Sequence, residues 1–252
     1  MGGRLTPDIE HTTFDVVIVG GGIIGAGIAR DTAMRGLKVA LFERSDFSSG
    51  TTSGSTRLIH GGLRYLEMLD FRLVRMDLRE RETLFRIAPH LVKPLRFFMP
   101  FYRRSRLYRL KMRLGMILYD ALSFDKSVPG RCRLSAGELI ALETHLRADN
   151  LQGAAGFFDA QVNSPERLCL ENILSAREHG AVAFNYAEVA ASRRSGGAIA
   201  GVRVRDLIEN VEVEARGRIV VNATGPWVDQ VAAKLTTNWQ RQIRTTKGIH
   251  IA

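Results

Sequence analysis

Three clusters of residues in this chain have types and spacings suited to chemistry. The first is Gly20-x-Gly22-x-x-Gly25. The first glycine permits a tight turn. The second lets a pyrophosphate approach the backbone, and the third lets a helix pack closely on a strand. Phosphate charge placed there meets the N–H groups and positive dipole end of a helix. Glu43 follows at the end of the next apolar run, where a carboxylate accepts hydrogen bonds from both hydroxyls of an adenosine ribose. Together they read as dinucleotide binding, since a glycine turn without a ligand leaves Glu43 unexplained. Arg44 reads as a solvated surface charge rather than a partner for a 2′-phosphate.

The second cluster runs from Thr51 to Tyr65. Its hydroxyls at Thr51, Thr52, Ser53, Ser55 and Thr56 suit pyrophosphate oxygens. Gly61 and Gly62 allow something flat to pass close to the backbone. Arg64 offers a planar fork to an anion; an ion pair with Glu67 or Asp70 is the alternative. His60 is a candidate base or cofactor contact, since imidazole is the usual general acid–base side chain. The third cluster, Ala223-Thr224-Gly225, places small residues after a strand, where they can close on a dinucleotide. With the first cluster it points to FAD rather than NAD. His11, His90, His145, His179 and His250 show no ligand spacing, so no metal is expected.

These residues need elements to position them. Phe14–Gly20 is a β-branched apolar run, the mark of a strand buried on both faces. Residues 23–35 read as a helix stopped at Gly36, and 38–43 as a second buried strand, which makes a βαβ unit. Residues 45–65 read as loop and 70–88 as a helix ended by Pro89. A short strand near 95–101 and a helix from 106 to 123 follow. Residues 125–156 read as loops with one short helix after Ser135. Ser164–His179 reads as a helix with Pro165 in its first turn and Gly180 as its stop. Residues 181–189 read as a strand, and 198–206 with 210–221 as antiparallel strands. Residues 1–13 read as a flexible polar leader.

The 252 residues suffice for one large domain or two modest ones. With 36 Lys and Arg against 26 Asp and Glu, the net charge is +10, which favours anionic partners. Much of it lies in 91–118, which holds eight basic residues and no acidic one, interleaved with Phe97, Phe98, Phe101, Tyr102 and Tyr108. That tract suits either the surface of an anionic membrane or a solvated face over an aromatic core; nucleic acid is not the expected partner. Cys132 and Cys169 form no CxxC or Cys/His cluster, which fits a reducing, cytoplasmic compartment. No apolar run reaches the roughly 18 residues of a spanning helix, and no secretory signal is seen. Met1-Gly2-Gly3-Arg4-Leu5-Thr6 meets only the loose myristoylation pattern.

The strings VIVGGGIIGAGIARD, STRLIHGGLRYLE, FRLVRMDLRERETLFRIAPHLVKP and NATGPW, in that order, resemble the FAD-dependent glycerol-3-phosphate dehydrogenases. IHGGLRYLE is the most discriminating; the wider glycine-oxidase-like flavoproteins share the glycine turn but not usually that string. The resemblance covers residues 14–252 and is weakest over 125–156. It implies that Gly20, Gly22, Gly25 and Glu43 bind the ADP half of FAD. Thr52, Ser53 and Thr56 would lie along the pyrophosphate and ribityl chain. Val189, ending its strand, would present backbone to the adenine, and Ala223 and Gly225 would close on the cofactor. His60 would sit by the flavin ring and Arg64 would face the substrate phosphate. The chain departs from the family at Arg57, where Lys is usual.

The fold this implies is α/β: a Rossmann-like FAD-binding domain in two parts, 14–90 and 157–252, around part of an α+β substrate or cap domain at 91–156. The implied reaction oxidises sn-glycerol 3-phosphate to dihydroxyacetone phosphate, with a quinone as electron acceptor, or oxygen as in the related oxidases; peripheral attachment at the inner membrane face is one of the two readings of the basic tract 91–118. Relatives run to about twice this length, and Lys247-Gly248-Ile249-His250 resembles the family's KGSHIVV strand. An N-terminal fragment is therefore expected. The alternatives are another flavin oxidase acting on amines or amino acids, and a non-catalytic FAD-binding remnant.

Overall fold

A computed structural model describes residues 5, 8–102, 106–246 and 248, with the backbone alone at Arg64 and 106–109. Along the chain the elements are α1 (Asp8–His11), β1 (Thr13–Val19), α2 (Ile23–Met34), β2 (Val39–Phe42) and β3 (Leu58–Ile59), then a 3-10 turn (Leu63–Met68). Next come α3 (Phe71–Ile87), β4 (Val92–Tyr102), α4 (Arg106–Leu122), β5 (Cys132–Leu134), α5 (Ala136–Leu142), β6 (Leu151–Val162) and α6 (Pro165–Glu178). The chain closes with β7 (Val182–Phe184), β8 (Ala187–Ser195), β9 (Ala198–Asp206), β10 (Glu212–Asn222), a 3-10 turn (Gly225–Trp227) and α7 (Val228–Leu235).

Two compact units result, residues 1–56 with 164–252, and residues 57–163. The first is a six-stranded sheet in the order β7-β2-β1-β10-β9-β8. Strands β7, β2, β1 and β10 are parallel, while β9 and β8 continue antiparallel from β10. In β1, Val17 and Val19 enter one core with Phe42, Val189, Val202 and Val204. Val16 and Ile18 enter the other, with Leu41, Ala29 and Ala33 of α2 and Ala176 of α6. Each Val, Ile, Leu or Phe side chain among these contributes roughly 1.5–3 kcal/mol when withdrawn from water. This is why the run Phe14–Val19 tolerates no polar alternation beyond Asp15.

The second unit is a sheet built on β6, with β4 along one edge and β3 and β5 on the other. Helices α3 and α4 cover one face through Val74, Leu78, Met116 and Tyr119, which pack on Phe97, Met99, Ala155 and Phe157. Asp70 caps α3 by accepting the Leu73 N–H at 3.0 Å.

The βαβ unit, α3, α4, the α5 cap, α6 and the β9–β10 pair agree with the sequence reading. Five features differ. Residues 5 and 9 are not part of a free leader: Leu5 and Ile9 are buried in the first core, because each supplies an apolar anchor. The region 125–156 holds β5 and half of β6 rather than loops; its run of Gly and Ala has poor strand propensity and is held by partners on both edges. The strand expected at 95–101 spans Val92–Tyr102, and its Pro94 and Pro100 are accommodated because β4 is an edge strand. Tyr186 (φ +50°) divides 181–189, so Val189 does not end a strand but sits near the start of β8. The compact units also divide at 56/57 and 163/164, because β3 and α3 pack with β6 and β4. The myristoylation pattern (apart from Leu5), Arg103, Arg104 and Lys247–His250 (apart from Gly248) fall outside the described residues.

Candidate functional site

In the first unit, the glycine turn sits where the ends of β1, β2 and β10 meet. Gly20 N–H donates to the Phe42 carbonyl and Ala223 N–H to the Val19 carbonyl, both at 2.8 Å. Gly20 has φ +109°, and a Cβ there would lie 2.7 Å from the Ala223 carbonyl oxygen. A Cβ on Gly25 would lie 1.9 Å from the Gly20 carbonyl oxygen, so α2 approaches the turn only without one. Neighbouring backbone therefore explains both glycines.

Gly22 is different. It caps α2 with φ −78° and ψ −179°, extended backbone open to any residue. The nearest atom to a Cβ there would be the Thr52 hydroxyl at 3.3 Å. The protein itself makes little demand for glycine at this point, whereas a phosphate resting on the first turn of α2 would. Gly22 has no side chain to cap the helix, and Thr52 Oγ1 accepts the Ile23 N–H at 3.0 Å in its place. Glu43 folds onto the same turn: Oε2 accepts from Gly21 N–H at 2.7 Å and Oε1 from Ser45 N–H at 2.8 Å. Each oxygen keeps a lone pair for a ribose hydroxyl. The cradle fits the adenylate half of a dinucleotide.

The structure thus brings together Gly20, Gly22, Gly25, Glu43, Thr52 and Ala223. Gly225 is exposed, has φ +54° and opens the 3-10 turn. Ser53 turns inward on its own loop, with Oγ donating to the Gly50 carbonyl at 3.0 Å. Thr56 is exposed. The Val189 side chain is buried in the core, which leaves only its backbone for a ligand. A register shift between Val189 and Ala191 interrupts the pairing of β8 with β9 beside it.

Sequence reasoning missed the supports of this cradle. Asn222 accepts the Thr224 hydroxyl at 2.6 Å and donates to the Val228 carbonyl at 2.9 Å, which staples the Ala223–Gly225 segment to α7. Cys169 lies under the turn, its thiol pKa pushed up by burial and its Sγ 3.5 Å from the Gly21 carbonyl. Arg44 is exposed, as expected, and also lies over the Trp227 ring, 5.4 Å from its centroid.

In the second unit, His60 is exposed. Its Nδ1 accepts the Gly62 N–H at 3.1 Å, which in a neutral ring places the proton on Nε2. The Asp77 carboxyl is held above its ordinary pKa by burial, with His60 opposing and Asp70 adding to the shift. Gly61 N–H reaches Tyr119 Oη at 3.1 Å and Asp159 Oδ1 at 3.2 Å; neither partner was found from the sequence. Arg64 lies in the 3-10 turn, and its side chain is outside the described residues. Glu67 pairs with Lys111 at 3.5 Å and Asp70 caps α3. No cluster of metal-ligating side chains is found among the described residues.

The family model described as FAD dependent oxidoreductase matches residues 15–252. A glycerol-3-phosphate dehydrogenase of Synechocystis sp. is 45% identical over 98% of this chain, which covers 47% of that protein. The chain spans less than half the length of the curated relatives it matches. Among solved structures, the Bacillus halodurans glycerol-3-phosphate dehydrogenase complexed with FAD has a TM-score of 0.69 at 30% identity, with 90% of this chain and 37% of that one covered. L-proline dehydrogenase from P. horikoshii shares the fold, with a TM-score of 0.70 at 21% identity over 88% of this chain and 55% of that one.

Proposed function

Because the chain belongs to the FAD dependent oxidoreductase family, we propose that it serves the oxidation of sn-glycerol 3-phosphate to dihydroxyacetone phosphate, with electrons passed to a quinone. The observation that carries this reading is the 45% identity, over 98% of this chain, to a protein named glycerol-3-phosphate dehydrogenase.

When bound, FAD supplies the two-electron oxidant; the protein's part is to bind, orient and polarise. Gly20, Gly22, Gly25 and Glu43 hold the ADP half. Thr52, Ser53 and Thr56 run along the pyrophosphate and ribityl chain. Val189 offers its backbone to the adenine, and Ala223 and Gly225 close on the cofactor. Arg64 takes the substrate phosphate through its planar fork. His60, with Nδ1 engaged by Gly62, holds its proton at Nε2 and acts as a hydrogen-bond donor at the reacting centre. This geometry supports the donor role over that of a base.

Attachment to the inner face of an anionic membrane, from the cytoplasmic side, suits delivery of electrons to a quinone. Exposed Leu110, Leu114 and Ile117 share one face of α4, near the exposed cations Lys111 and Arg113. No helix among the described residues is long and apolar enough to cross a membrane.

The test is anaerobic addition of sn-glycerol 3-phosphate to the FAD-loaded protein. Bleaching of the flavin absorbance by this substrate, and not by glycine or L-proline, supports the reading. Bleaching by an amino acid alone would replace it with an amine or amino-acid oxidation. A stable yellow protein that no substrate bleaches would leave a binding remnant.

A further inference from the structure

The second unit contains a buried ionic network that the proposed reaction does not use directly. Arg81 of α3 is 1% exposed, and Asp159 of β6 is 3% exposed. Arg81 Nη1 donates to Asp159 Oδ1 at 2.7 Å and to the Phe158 carbonyl at 3.0 Å. Its Nη2 donates to Glu82 Oε1 at 3.0 Å and Ser123 Oγ at 3.1 Å. Glu82 in turn accepts the Ser127 N–H at 2.8 Å and hydroxyl at 2.7 Å. A buried ion pair is a weak source of stability, because desolvation offsets most of the Coulombic gain. Its product here is geometric: Asp159 Oδ1 is held where three donors converge, from Arg81, from the Tyr119 hydroxyl at 2.7 Å and from the Gly61 amide at 3.2 Å.

We propose that Tyr119 and Asp159, fixed by Arg81, are positioning residues for His60. They pin the Gly61 amide, and so hold the turn whose next amide, that of Gly62, sets the His60 tautomer. The network has one polarity. Burial and the adjacent Asp159 push the Tyr119 pKa upward, so the phenol stays protonated, donates to Asp159 and accepts from Gly61. The turn has no slack. A Cβ on Gly61 would meet Leu78 at 2.2 Å and the Tyr119 hydroxyl at 2.4 Å. Gly62 has φ +68°, and a Cβ there would lie 2.5 Å from the Tyr65 ring and 2.9 Å from the Asp77 carboxylate. The buried anion thus fixes one amide, and the next amide reaches back to the exposed imidazole, which leaves the proton of the neutral ring on Nε2. The proposal rests on the reading of His60 as a donor at the reacting centre, but its test needs neither flavin nor substrate.

The experiment is ring nitrogen–proton NMR of the 15N-histidine-labelled protein, with His60 assigned by its loss in His60→Gln. Wild type should show the Nε2–H tautomer. Tyr119→Phe keeps the ring against Phe157 and removes the hydroxyl. It should convert His60 to a tautomer average and speed Gly61 amide exchange roughly tenfold, the scale of one lost hydrogen bond. Ser123→Ala breaks the network at its far end and should leave the His60 signature unchanged. A wild-type ring protonated on Nδ1, a Tyr119→Phe ring identical to wild type, or an equal change in Ser123→Ala would each overturn the proposal.

Discussion

At the scale of single residues, Gly22 separates the two reasons a turn is rich in glycine. Gly25 is required by backbone 1.9 Å from its absent Cβ, while Gly22 faces only a hydroxyl at 3.3 Å. Gly25→Ala should therefore cost about 1–3 kcal/mol by overpacking, read by urea denaturation without ligand. Gly22→Ala should leave that denaturation curve nearly unchanged and weaken FAD binding by about tenfold or more, through loss of close phosphate approach. Arg81→Ala should cost about 3–5 kcal/mol, because it strands buried carboxylates, again read by denaturation. These residues differ sharply in how they show in a sequence. Gly20, Gly22 and Gly25 fall within one turn and a half of chain, and Glu43 closes the next strand, so their chemistry is local. Arg81 meets Asp159 at a separation of 78 residues and Tyr119 meets Asp159 at 40. In the run Arg79-Glu80-Arg81-Glu82 nothing distinguishes the buried guanidinium from a solvated one.

Among elements, those with strong periodicity and end signals were legible. Ser135 and Glu138 form a reciprocal capping box that starts α5, and Ser135→Ala should cost about 1 kcal/mol, measurable in the same denaturation assay. Strand β6 was not legible. Its Gly153, Ala154, Ala155 and Gly156 carry little intrinsic strand preference, and its place is decided by β4, β3 and β5 around it. The hydrophobic pattern puts Val189 at a strand end because the left-handed φ of Tyr186 leaves no mark in it. Helix α3 is tied to the segment after α4 by Arg75, which grips Asp125 through two 2.7 Å bonds and lowers its pKa to about 2. A lowered folded-state value contributes stability above the ordinary 3.8 that is lost as pH falls through about 2. The pair is solvent-screened and contributes about 1 kcal/mol or less. Wild type should exceed Asp125→Asn in melting temperature at neutral pH, and the gap should close toward pH 2.

For the whole molecule, the charge of +10 and the exposed apolar face of α4 belong to one expectation. Sedimentation with phosphatidylglycerol vesicles should carry the protein down, and replacing Leu114 and Ile117 with Glu should abolish that without altering flavin content. The two-part sheet around an inserted unit was visible in outline from the order of motifs. The crossing points at 56/57 and 163/164 were not, because they depend on β3 pairing with β6 across about a hundred residues of chain. The proposed function depends on the cradle of Gly20, Gly22, Gly25 and Glu43 seating the ADP half of FAD. The most direct measurement is a flavin titration of the purified 252-residue protein, followed by absorbance and fluorescence, with NAD in parallel. One equivalent of FAD should bind, NAD should not compete, and Glu43→Gln should weaken the uptake. Protein that folds yet leaves flavin free in solution, or that takes NAD in its place, would contradict the account.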